Sequence, residues 1–244
     1  MSIRRLVLTI VATCFLPCHL SAQNEISSIQ TLTEGQQSII LISAYTTMGE
    51  LQDLKHALNK GLDAGLTVNK IREVIIHLYA YCGFPRSIRG LQTFMQVLDE
   101  RKANGINDNT GPEASSIKNT ASKYERGKKV LGELLKTPQD GPLSGYNAFA
   151  PAIDTFLKEH LFADLFERDV LTYAERELVT ISVLSSIGGA EPMLRSHLSI
   201  CLNVGLTPAQ LNEFVDVIRS GPGEKEAGSA QAVLDDVLKN KQLQ

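Results

Sequence analysis

Apolar residues recur at three- and four-residue intervals along almost the whole chain. No stretch alternates with a period of two, so the pattern predicts helices and no strands. The first helix runs from about Glu34 to Met48 and opens on the capping box Thr33-Glu-Gly-Gln36. Its apolar residues Ile39 to Ile42 lie nearly all round, the mark of a buried helix; Gly49 breaks it. Leu51 to Ala64 follows, with Leu51, Leu54, Leu58 and Leu62 at helical spacing and Gly65 placed to end it. Thr67 opens a third helix with the stripe Ile71, Val74, Ile75, Leu78. Gly83-Phe84-Pro85 closes that helix, because proline disfavours helix in the residue before it. Ser87 to Arg101 makes a fourth.

Lys102 to Ser122 is polar and rich in turn-forming pairs, so it reads as a linker. Beyond it a short helix spans Tyr124 to Leu135, a Pro/Gly-rich passage leads to Pro151, and Ala152 to Leu165 is helical again. Capping boxes at Thr172-Tyr-Ala-Glu175 and Thr207-Pro-Ala-Gln210 start two more helices. Between them lies a helix with Pro192 in its first turn and Gly205 at its end. A last helix covers about Ala227 to Leu238.

The elements recur. Ala64-Gly-Leu-Thr67, then Glu73, matches Val204-Gly-Leu-Thr207, then Glu213, at an offset of 140 residues. Thr46-Thr47-Met48-Gly49 matches Ser185-Ser186-Ile187-Gly188 at an offset of 139. The expectation is two tandem helical repeats, residues 23–102 and 124–244, joined by the linker 103–123.

Residues 1–22 change the picture of where the protein works. Arg4 and Arg5, the apolar run Leu6 to Leu16, and the small residues Ser21 and Ala22 read as a secretory signal cut after Ala22. This predicts a periplasmic or secreted protein without stable membrane insertion. A lipoprotein reading would use Cys18. Removing the two arginines takes the formal charge from -3 to -5. With no basic block, nucleic acid is not an expected partner. The mature chain keeps Cys82 and Cys201, which an oxidising compartment allows to pair; the simpler reading is two buried, small, apolar residues.

Candidate chemistry sits in Glu175 to Cys201, ERELVTISVLSSIGGAEPMLRSHLSIC. Glu177 lies in one apolar helical run and His197 in the next, and the Gly188–Gly189 turn between them lets the two helices run antiparallel. A carboxylate facing an imidazole is a proton-transfer pair. Shifted back by the repeat offsets, Glu177 falls on Ser38 and His197 on Ala57, so only the second half carries both. Cys201, one turn past His197, shares its face and is a redox candidate. There is no Cys-x-x-Cys, and no two metal ligands stand at i, i+4 with a third nearby, so neither a metal nor another cofactor is expected.

Three segments carry a family resemblance: Leu78-Tyr-Ala-Tyr-Cys-Gly-Phe-Pro-Arg86, Arg176-Glu-Leu-Val-Thr180, and His197 followed by Gly205-Leu-Thr207. At these residues the chain resembles the carboxymuconolactone decarboxylase family, a branch of the alkylhydroperoxidase D-like superfamily, over most of residues 30–218. The resemblance implies an all-α fold, a homo-oligomer (trimer or dimer), and a small-molecule substrate. It also implies a cofactor-free lyase acting on a carboxylated lactone or related acid, with Glu177 and His197 as catalytic residues. Arg195, Arg86, Tyr81 and His77 are the candidates for substrate binding. The peroxidase branch needs two cysteines, and those positions fall here on Ala190 and Met193. The second half also lacks a Gly-Phe-Pro segment, having Ile218-Arg-Ser-Gly221 instead. Two other readings stand beside the lyase: an exported ligand-binding or assembly protein without catalysis, and a peroxide-handling protein using Cys201.

Overall fold

The computed structural model describes residues 31–242, and the expected signal segment with Cys18 lies outside them. Every regular element among the described residues is a helix, with no strand. In chain order they form α1 (Glu34–Met48), α2 (Leu51–Asp63), α3 (Val68–Ala103), α4 (Lys123–Leu135), α5 (Gly145–Phe149) and α6 (Pro151–Phe156). α6 runs straight into a π-helical stretch, Leu157–Leu165. Then come α7 (Tyr173–Ile187), α8 (Glu191–Asn203), α9 (Pro208–Ser220) and α10 (Glu224–Gln242).

Three expectations need correcting. The third and fourth expected helices form one bent element, α3. Gly83, at φ 79° and ψ 162°, turns the chain in a region only glycine adopts easily, and the helix restarts without a loop. Pro85 falls in the first turn after the bend, where no N–H is required. The Ser87 hydroxyl donates to the Ile75 carbonyl at 2.6 Å across the bend. The passage before Pro151 contains the short helix α5, and α10 begins three residues before the expected Ala227.

The linker is tied down. The first turn of α3 has N–H groups without helical acceptors; those of Val68 and Asn69 donate to the Asn109 and Thr110 carbonyls, both at 2.9 Å.

α1 and α7 lie at the centre. Each is 15 residues long and opens on a capping box, and α2 and α8 are 13 residues each. α1 packs on α7, and every residue of α7 from Arg176 to Ser185 is buried. One hydrophobic core joins both halves, from Ile39, Leu58 and Ile75 to Val179, Leu198 and Phe214. A smaller cluster joins Val130 and Leu134 of α4 to Leu161, Phe162, Leu165 and Phe166, and reaches Ile200 of α8. The approach of α4 depends on Gly127, where a Cβ would lie 1.7 Å from the Lys158 carbonyl oxygen.

Candidate active site

Glu177 and His197 meet because of the turn between α7 and α8. Thr172 caps α7 by accepting from the Glu175 N–H at 3.2 Å, and the Glu175 carboxylate accepts from the Thr172 N–H at 2.9 Å. Glu177 then falls just over one turn into a helix that is buried from Arg176 to Ser185, and it is 0% exposed. Gly188 and Gly189 both take positive φ, 70° and 68°, and reverse the chain so that α8 packs back on α7. His197 Nδ1 stands 2.8 Å from Glu177 Oε2. A carboxylate only accepts, so Nδ1 carries the hydrogen of that bond and Nε2 is left for other work. The His197 side chain is 14% exposed. Glu177 Oε1 is buried without a protein partner. Glu177 is thus a core acid and not a surface acid at a helix start.

The first half of the chain supplies the wall beside this pair. The Tyr81 ring stands edge-on to the His197 ring, with centroids 6.2 Å apart. Tyr81 Oη lies 3.2 Å from Thr180 Oγ1. His77 Nε2 is also 3.2 Å from Thr180 Oγ1, and His77 Nδ1 is 3.2 Å from Arg176 Nη1. A guanidinium can only donate, so Nδ1 must accept and the ring hydrogen sits on Nε2, donating to Thr180. The Thr180 hydroxyl donates its own proton to the Arg176 carbonyl at 2.9 Å, one turn back.

Arg176 is fully buried. Its Nη2 donates to Glu73 Oε1 at 2.9 Å and to the Arg168 carbonyl. Arg168 forks onto the same carboxylate, with Nε and Nη2 each at 2.8 Å. Burial acts to raise the pKa of Glu73, but the two arginines outweigh it and hold it below the usual carboxylate range. Burial pushes the pKa of His77 well below that of a free imidazole, and the charges of Arg176 and His197 add to the shift. Burial likewise raises the Tyr81 phenol, with Glu177 adding to it.

Residues 151–236 match the model of the carboxymuconolactone decarboxylase family. The matched stretch contains Glu177, His197, Arg176 and Thr180, whereas Tyr81, His77 and Glu73 reach it from α3. The chain is 28% identical to the 4-carboxymuconolactone decarboxylase of Acinetobacter baylyi over 123 residues, which is 50% of this chain and 91% of that protein. It is also 27% identical to an uncharacterised protein of Methanocaldococcus jannaschii over 79 residues, 32% of this chain and 74% of that one. The all-helical architecture is consistent with the fold of the carboxymuconolactone decarboxylase family.

Four expected site residues stand elsewhere or are spent. Arg195 of α8 pairs with Asp236 of α10 and is about half exposed. Arg86, past the bend of α3, lies over Gly49; a Cβ there would meet its guanidinium at 1.6 Å. It lines a separate opening with Thr47, Glu50, Cys82 and Ser186. His77 has both ring nitrogens engaged by protein groups, Thr180 and Arg176. Cys201 is fully buried, and burial together with the Glu177 charge drives its thiol pKa well above the usual value. The thiolate that peroxide chemistry needs is thus suppressed. Cys82 and Cys201 are both free thiols, not a disulfide.

A cleft of about 640 Å³ between the linker and α4 is lined by Lys118, Arg126, Phe166, Arg168 and Tyr173. It shares Arg168 with the buried network, but Glu177 and His197 do not line it. Among the described residues no group of three His, Cys, Asp or Glu side chains is placed to hold a metal.

Proposed function

We propose that the protein is a lyase of the carboxymuconolactone decarboxylase type, acting on a small carboxylated lactone or related acid by proton transfer through Glu177 and His197. The observation that carries this reading is the 2.8 Å contact between a fully buried carboxylate and an imidazole that still reaches the surface. The similarity of half the chain to a 4-carboxymuconolactone decarboxylase supports it. In the step proposed, the bond to the carboxylate carbon breaks and CO2 leaves. The electron pair passes into the conjugated carbonyl of the lactone, and a proton from His197 Nε2 is delivered to ring carbon. Glu177 at Nδ1 orients the ring and balances its charge while it carries that proton. The ring regains a proton from solvent. Residues 1–22 support export of this activity from the cytoplasm.

The test is CO2 release from a panel of carboxylated muconolactones and β-keto acids by wild-type protein and His197→Ala. Loss of a positioned acid–base group is expected to slow release by about 10²–10⁴-fold. Release that is equal in the two proteins, or absent across the panel from folded protein, would overturn the reading.

A second reading, a helical assembly protein without catalysis, draws on exposed apolar side chains. Phe84, Ile88 and Met95 follow one face of α3 beyond its bend, and Tyr146, Phe149, Ile153 and Phe156 lie along α5 and α6, with Phe149 91% exposed. Surface of this kind marks interaction sites. It also supports the homo-oligomer proposed for the lyase. An inactive protein whose mass by light scattering is a multiple of the chain would favour this second reading.

A further inference from the structure

The buried groups behind Tyr81 form a directed chain. Arg176 donates to His77 Nδ1 at 3.2 Å, and His77 Nε2 stands 3.2 Å from Thr180 Oγ1, which lies 3.2 Å from the Tyr81 hydroxyl. Tyr81 in turn sets its ring edge against His197. The guanidinium forbids a hydrogen on Nδ1, so His77 donates from Nε2. Thr180 accepts from His77, and its one proton serves the Arg176 carbonyl at 2.9 Å and the Tyr81 hydroxyl at 3.2 Å.

The opposite side of the molecule gives an independent observation. Moving by the 139–140 residue offset, Arg176 corresponds to Gln37 and Glu73 to Glu213, and Gln37 Nε2 donates to Glu213 Oε1 at 2.8 Å. The anchor is present there in neutral form. The rest of the chain is absent: Thr180, His77 and Tyr81 correspond to Leu41, Val217 and Gly221, just as Glu177 and His197 correspond to Ser38 and Ala57. Leu41 and Tyr45 close over Gly221, with a Cβ there meeting Leu41 Cδ2 at 2.5 Å. The polar chain therefore occurs on the side that has the Glu177–His197 pair, and an apolar filling occurs on the side that lacks it.

We propose that Arg176, His77 and Thr180 are positioning residues for Tyr81 at the Glu177–His197 site, with Arg176 holding His77 in a single uncharged tautomer. The proposal deepens the proton-transfer reading and rests on it for its catalytic consequence. The charged groups that act on His77 are Arg176 from α7 and His197 from α8, while Tyr81 on its own helix and Phe166 set their rings against it. His77 is thereby kept uncharged, leaving His197 to exchange protons at the site.

The test uses the full chain labelled with ¹⁵N in its imidazoles. In the wild type, His77 is expected to show the neutral Nε2–H tautomer without titrating between about pH 5 and pH 8. Arg176→Gln, the residue found at the corresponding position opposite Glu213, is expected to fold and, with the guanidinium gone from Nδ1, to show the Nδ1–H tautomer of His77 beside the Nε2–H one. A wild-type His77 that titrates there, or that carries its hydrogen on Nδ1, overturns the relay, as does an Arg176→Gln spectrum unchanged from wild type. Should Arg176→Gln not fold, Thr180→Val and Thr180→Ser decide. With the panel as substrate, Val and Tyr81→Phe are each expected to lower kcat about tenfold with little change in KM, and Ser to restore it. Equal kcat in all three variants and wild type overturns the proposal. If the wild type releases no CO2, the lyase reading fails on its own, while the imidazole spectra still decide the relay.

Discussion

At the scale of single residues the molecule is governed by what it buries. His77 is enclosed and uncharged, and its pKa is depressed first by burial and then by Arg176 and His197. The unfolded chain binds a proton at this ring near pH 6.5, and the folded chain does not. Folding is therefore favoured fully above that pH and loses stability as the pH falls below it, by up to about 1.4 kcal/mol per pH unit. Urea midpoints at pH 7.5 and pH 5 should show the loss, and His77→Gln should flatten the slope; parallel slopes in the two proteins would contradict this. Glu73 adds a loss of the same sign at more acid pH, because its folded pKa lies below the ordinary carboxylate range. Glu177 and His197 were legible in the sequence because a Gly-Gly turn and twenty intervening positions set them face to face. Arg176 was not. An arginine in an apolar run reads as the solvated edge of a helix, and its carboxylate partner Glu73 is 103 positions away. One local signal was available: Glu73, His77 and Tyr81 are spaced by four along α3, as are Arg176 and Thr180 along α7. Such polar stripes inside apolar helices must find partners when the helices pack.

At the scale of elements, starts and stops came through the sequence because they are local chemistry. Thr33, Thr172 and Thr207 each accept from the N–H three residues on, and each opens a helix where its capping box predicts. The bend in α3 and the π-helical stretch were not legible, since both depend on what packs against them. The π-helical stretch is held by Lys158, which donates to both oxygens of Asp154 at 2.8 Å, and by α4 lying against its backbone at Gly127. Alanine favours a helix over glycine by about 1 kcal/mol. At position 127, however, the added methyl meets a backbone carbonyl that cannot rotate away. Gly127→Ala is expected to destabilise by about 1–3 kcal/mol, as overpacking does. A urea midpoint equal to or above that of the wild type would show that the two helices can separate freely.

For the whole molecule, the decisive fact is a core drawn from both halves. Ile39 of α1 and Ile181 of α7 are each fully buried in it. Either one changed to alanine should cost about 2–5 kcal/mol. Each should shift the same single transition, seen alike by helical circular dichroism and by tyrosine fluorescence. Two separable transitions, each moved by one substitution, would mean that the halves fold independently. The sequence predicted the helices of each half well, but their packing on one another could not be read, because periodicity marks which face is buried and not what buries it.

All-helical chains ordinarily assemble fast, since most of their contacts lie a turn or two away. Here the joining contacts are distant in the chain: Lys70 meets Glu175 across 105 positions, and the Leu32 N–H reaches Glu213 across 181. The chain must close loops of that length before α7 can pack against α1, and each closure costs entropy before contact repays it. Its search for the native state is accordingly closer to that of a sheet protein than to that of a simple helical bundle.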